Sequence, residues 1–401
     1  MKTRIASLSV VATALLASSA AAAAVSTLPL PDNIRHRFLA LPYSAPGHRP
    51  VTHTLPPGIK LPQWDGGFTD KTGANITFTM VGQDPNLATS GSTTVNTVII
   101  PVILKYGAKY ENAVFDPTTR IVTGTSSTVI DSTLASPIFQ NHRFKTGGAD
   151  LGTTQYLDAF QRANFWRTVK GNPDYHVLLE SAPAVLEPLT IKVPKISGDE
   201  VRHFTSDGTP VAIIGIDEFD AALQAYMVAH ATQIRPNVLP IFITYQTYLI
   251  INHDINNGVV GGYHSANAPQ PAGQTYSYAT FVDSRPHFSQ DVEALSHEIG
   301  EWMDDPFVDN TVNCQDNTGG ALEVGDPLEG DTNWGGYPYT IGDYTYNLQS
   351  LVFMPYWGDV KRGKTQKPTS VNGWFTFQGT PTQNPNSHDS ISGVCPGPQN
   401  P

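Results

Sequence analysis

The sequence predicts a mixed α/β chain of the α+β kind, with short strands outnumbering helices and one polar motif set on a helix. Composition points this way first. Gly (34) and Pro (32) are frequent among the 401 residues, and charged residues make up only 15%. That mix suits short strands and turns more than a helical bundle. Patterning comes second: apolar residues mostly alternate or run in short blocks, and only three stretches recur at helical spacing. The third observation is the charge distribution. Residues 286–360 contain no Lys or Arg but 14 Asp and Glu. The simplest way to hold several such carboxylates together is a bound divalent cation.

The chain opens on a processing signal. Lys2 and Arg4, an apolar stretch at 5–16 and a run of small residues through Ala24 have the layout of a secretory signal peptide. Residues 1–24 are therefore expected to be removed and the protein to be secreted, extracellular or periplasmic. The apolar stretch is too short to remain as a spanning helix, and no later segment approaches ~18 uninterrupted apolar residues, so no membrane span is expected. A net charge of −11 argues against nucleic acid and anionic membrane surfaces as partners. Export suits a disulfide between the two cysteines, Cys314 and Cys395, with two buried thiols as the alternative.

Residues 25–75, rich in Pro and His, read as an extended arm. A β-rich segment with one helix follows at 76–210. Its first strands fall at 76–81 and 94–106, and Pro101 in the second points to an edge or a bulge. Tyr156, Phe160, Ala163 and Trp166 place a core helix over 153–168. From 211 to 330 the order changes. Asp217 is a candidate N-cap for a helix that must end by Pro236, with Phe219, Leu223, Tyr226, Met227 and Ile234 on one face. Strands are expected at 238–250, 259–264 and 276–282, then a second long helix. Residues 311–350 read as loop and 351–378 as terminal strands, within a C-terminal β segment and tail at 331–401.

The second long helix carries the chemistry. Ser289 is its candidate N-cap, and Pro306 should stop it near Asp304. Val292, Leu295, Ile299 and Trp302 define a buried stripe. His297 lies about 200° round from Leu295 and Ile299, so it should face away from that stripe. Glu301 follows His297 by four residues, so the two side chains stack and can reach one metal. Glu298 sits one step aside, placed to act on a water rather than to ligate, and Gly300 should remove bulk beside the site.

His297-Glu298-x-x-Glu301 resembles the zincin metallopeptidase motif, with Glu in place of the second His. The helix, strands and motif helix also follow the zincin order. The longer string Ser296 to Glu301, with Asp305-Pro306 and then Glu323-Val324-Gly325-Asp326, is similar to secreted bacterial metallopeptidase-like proteins and to the plant exordium (phosphate-induced) family. Gly261 to Ser265 also resembles the exordium family, and the likeness spans roughly 217–330. It implies a zincin-like core flanked by β-rich segments, with Glu323 as third metal ligand and Asp326 as a supporting acceptor. The reverse assignment, Asp326 as ligand, stays open. A catalytic zinc takes three protein ligands and keeps one position open, and the extra carboxylate shifts preference towards Mn²⁺ or Ca²⁺.

No Gly-x-Ser-x-Gly elbow, phosphate loop or dinucleotide fingerprint is present. Two readings therefore remain. The first is a secreted zinc-dependent peptidase, with Glu298 as general base, a polypeptide substrate added along the edge of 259–265, and His264 or Tyr263 stabilising the oxyanion. The second is a non-catalytic extracellular protein on the same scaffold, with a structural metal and glycan or protein partners.

Overall fold

Backbone pairing is described for residues 28–30, 34, 36–43, 59–70, 72–205, 207–283, 289–313, 320–328, 336–358 and 375–379 of this computed structural model. The signal segment 1–24, Cys314, Cys395 and Trp374 lie outside those residues. The fold is mixed α/β, with more strand than helix.

The arm supplies β1 (Leu28–Pro29) and β2 (His36–Leu41), and a hairpin follows from β3 (Gln63–Thr69) and β4 (Asn75–Val81). Then come the long β5 (Ser92–Lys105), β6 (Val114–Phe115), helix α1 (Val129–Leu134) and the hairpin β7 (His142–Thr146) with β8 (Ala149–Thr154). Helices α2 (Tyr156–Asn164) and α3 (Trp166–Val169) are separated at Phe165, so the single expected helix is two. Short strands β9 (His176–Leu179), β10 (Ala184–Val185), β11 (Leu189–Lys192), β12 (Glu200–His203) and β13 (Pro210–Gly215) lead to α4 (Ile216–Ala229). The strands β14 (Val238–Tyr245), β15 (Thr247–Ile250), β16 (Val259–Ala266) and β17 (Thr275–Phe281) precede α5 (Glu293–Asp304), and a hairpin of β18 (Gly336–Ile341) and β19 (Tyr344–Gln349) follows it.

Thirteen of these strands form one sheet, ordered β1-β12-β13-β15-β16-β17-β14-β5-β10, with β2 beside β16 and β6, β9 and β11 beside β5. Pairing is mixed: β14 runs parallel to β5 and β17, whereas β16 runs antiparallel to β15 and β17. Pro101 is not on an edge strand. It falls between the last pair of β10, at Ile99, and the first pair of β11, at Val102, where its missing N–H costs no ladder bond.

Other expectations need adjustment. The strand at 238–250 breaks at Gln246, whose φ of 46° is left-handed and redirects the chain from β14 to β15. The cap of α4 is Gly215 rather than Asp217, which instead lies in the first turn; the helix runs to Ala229 with His230 as its cap, inside the limit set by Pro236, so Ile234 lies beyond it. The presumed loop 311–350 contains the β18–β19 hairpin. Among the described residues of the predicted terminal strands, Val352 and Thr376 form a bridge beside a short turn of helix at Met354–Trp357.

Side chains alternate across β16, and the two long helices lie on its two faces. Tyr263 points to α4, where its hydroxyl donates to Asp220 (2.8 Å). His264, one residue on, points to α5, where it meets Glu298.

Candidate metal centre

Helix α5 ends where expected, at Asp304 before Pro306, but starts late. Ser289 and Asp291 have positive φ (61° and 37°), so the chain turns before the helix and Val292 holds the cap position. Ser289 still serves the first turn, because its hydroxyl accepts the Ala294 N–H at 3.3 Å.

The larger departure is burial. Val292, Leu295, Ile299 and Trp302 are buried as the apolar stripe requires, yet all twelve residues of α5 are buried. His297 does not look out to solvent. The helix packs on β16 and β17, on β4, and on α2 and β19, and β2 closes the remaining side, with the Phe38 ring 4.2 Å from the His297 ring. Covering segments come from both ends of the chain, which the local pattern of α5 does not encode. Gly300 also faces elsewhere: a Cβ there would lie 2.5 Å from Leu351, away from the polar cluster.

Into this enclosed space the structure brings His264, His297, Glu298, Glu301, Glu323 and Asp326, none more than 7% exposed. Two glycines make room. A Cβ on Gly325 would come within 2.3 Å of His297 Nδ1, and one on Gly262 within 2.7 Å of Glu298 Oε1.

The first group of donors is His297, Glu301 and Asp326. Gln349 sets its protonation pattern. The Gln349 amide nitrogen donates to the Gly325 carbonyl (3.2 Å), so its oxygen faces His297 and accepts from Nδ1–H. The Nε2 lone pair of His297 then faces Glu301 Oε1 at 2.9 Å and Asp326 Oδ1 at 3.4 Å. Three acceptors converge, and a proton or a cation must lie between them. In the metal-free protein it is a proton. Burial alone depresses the His297 imidazole, but the Glu301 charge overrides it and raises its pKa well above the usual value. Glu301 is pushed up by burial and pulled down further by His297, for a net lowering.

Asp326 thus stands where Glu323 was the first choice. It addresses the same His297 nitrogen as Glu301, not the far nitrogen that a supporting acceptor would hold; Gln349 has that role. Glu323 lies on the other side, its Oε2 3.7 Å from His264 Nε2. Burial, then the charges of Glu301, Asp305 and Asp326, push its carboxyl far above the usual range.

His264 is within the site, and Tyr263 is on the opposite face of the sheet, which removes it as an oxyanion donor. The edge of 259–265 is also taken: β2 pairs with it in parallel, from His36 opposite Val259 to Leu41 opposite Ser265. Sequence reading had no signal for Gln349, which lies 52 residues from His297 in no recognisable motif. No family model, no curated protein and no solved structure matches this chain.

Proposed function

We propose that this is a secreted metal-dependent hydrolase acting on polypeptide, built on a zincin-like core with its centre at His297, Glu301 and Asp326. The observation that carries the reading is the convergence of one imidazole nitrogen, His297 Nε2, and two carboxylate oxygens, all buried. One imidazole and two carboxylates suit Zn²⁺ and admit Mn²⁺ or Ca²⁺. The order α4, four strands and α5 supports the zincin-like arrangement. A bound dication of this kind lowers the pKa of its water towards ~7. Glu298, on the same helix and with its Oε2 3.3 Å from His264 Nδ1, is placed to take that proton. Substrate along 259–265 requires β2 to leave that edge.

A second reading has its own support. Complete burial beneath β2 is what a structural ion on a non-catalytic extracellular protein needs, with glycan or protein partners bound elsewhere. Glu298→Gln separates the two, since it keeps shape and removes basicity. For the hydrolase, the variant keeps the ion at His297 while cleavage of an unfolded-protein substrate falls at least ~10²-fold. A wild type that binds metal, cleaves nothing across a broad peptide library and is indistinguishable from Glu298→Gln establishes the structural reading instead.

A further inference from the structure

We propose that the centre holds two divalent cations bridged by Glu301, the second bound by His264, Glu298 and Glu301. The proposal rests on the metal reading above, extends it from one ion to two, and makes Glu298 a ligand of the second ion instead of a free base.

The second group of donors has the same construction as the first. His264 Nε2 lies 3.2 Å from the main-chain oxygen of Asp305. A carbonyl only accepts, so the proton is on Nε2 and the Nδ1 lone pair points inward. It faces Glu298 Oε2 at 3.3 Å and Glu301 Oε2 at 3.6 Å. Both histidines therefore give their outer N–H to a fixed neutral acceptor, Gln349 for His297 and Asp305 for His264. Both turn the inner nitrogen to two carboxylate oxygens. This is how proteins orient imidazole ligands.

Glu301 belongs to both groups, and it uses a different oxygen in each. Oε1 faces His297 and accepts the Gly325 and Asp326 N–H groups (3.1 and 3.2 Å). Oε2 faces His264 and makes no hydrogen bond among the described residues, although Glu301 is fully buried. A carboxylate split in this way between two donor sets is a bridge, and bridged hydrolytic sites hold their ions about 3.5–4 Å apart.

Glu298, Glu301, Asp305, Glu323 and Asp326 bring five buried carboxyls together, and residues 286–360 offer no Lys or Arg. Glu323 stands apart from both donor groups: its Oε2 is 3.7 Å from the outer Nε2 of His264, and its carboxyl pairs with that of Asp305.

The test is Mn²⁺ binding to the full secreted chain, with the metal counted by elemental analysis and its electron paramagnetic resonance recorded. The wild type should take up two equivalents and show an exchange-coupled spectrum. His264→Asn and Asp326→Asn should each retain one equivalent and give an uncoupled six-line signal. Glu298→Gln, nearly isosteric, should also fall to one, so the result does not hang on His264→Asn folding. A wild type with one uncoupled equivalent, unchanged by Glu298→Gln, overturns the two-ion proposal and leaves the single-ion reading intact. A wild type that binds none overturns both.

Discussion

Helices α4 and α5 lie against opposite faces of β16, and both bury acids. On α4, Asp220 is met by neutral donors: the hydroxyls of Tyr263 (2.8 Å) and Tyr276 (2.6 Å) reach Oδ1, and the Gln224 amide reaches Oδ2 at 2.8 Å. The rest of α4 follows the ordinary rule, with one buried stripe and a solvated face. On α5 the Gln161 amide meets Asp304 and the Gln290 N–H meets Glu293, but Glu298 and the Oε2 of Glu301 face a histidine nitrogen instead. This chain can therefore satisfy a buried carboxylate with hydroxyls and amides where no ion is wanted. The contrast marks the histidine-lined side of α5 as the place where an ion could bind.

Breaking the α5 side should produce the largest effect. His297→Ala removes one member of a buried charged group and leaves Glu301 and Asp326 without it, a loss of about 3–5 kcal/mol. Its urea midpoint should fall sharply, and metal should no longer raise it. The matching test on the α4 side is Tyr276→Phe, which deletes one donor to Asp220. We expect about 1–3 kcal/mol, the cost of an under-satisfied buried acceptor, with the same value in the presence and absence of metal. If the two variants respond alike to metal, the distinction between the helices fails.

Smaller still, per pH unit, is the titration of metal-free protein. Burial raises the carboxyl of Asp304 from an ordinary 3.8 to about 7, with Glu301 adding to it, and that of Glu293 from 4.5 to about 8. Between about pH 4 and pH 8 the folded chain holds these protons and the unfolded chain releases them. Stability should therefore drop as pH rises through that window, by on the order of 1 kcal/mol per pH unit per group at most. Denaturation midpoints at pH 5 and pH 7.5, after exhaustive chelation, read the sign. A metal-free protein more stable at pH 7.5 contradicts it. The least effect belongs to the solvated face of α4, where Val228→Ala should change stability by no more than about 0.5 kcal/mol.

What could be read in the sequence was local. The helical spacing of Val292, Leu295, Ile299 and Trp302, the stop at Pro306 and the stacking of His297 on Glu301 all depend on contacts within a few residues, and the structure shows them. What could not be read needed distant partners. The polar face of α5 looked solvated because nothing nearby announces that β2 and β19 cover it. Asp326 and Glu323 lie three residues apart, and which one reaches His297 depends on the short helical turn Asp326–Leu328, not on spacing. Gln349 and the Asp305 carbonyl carry no motif, yet they decide which nitrogen of each histidine faces inward. Gln246 and Phe165 each break an element that the apolar pattern alone would continue.

The position of β2 sets a timetable. Its partner strand lies more than 200 residues later, with Ser265 Oγ bonded to the Leu41 carbonyl across 224 positions. A chain synthesised amino end first makes this cover long before the pocket it closes. Any ion must board after α5 and β16 have met and before β2 docks. Once β2 is in place, departure of the ion waits on local unfolding of that strand. Stripping by a chelator should then proceed at a rate independent of chelator concentration, and loading during refolding should outpace loading of the finished protein.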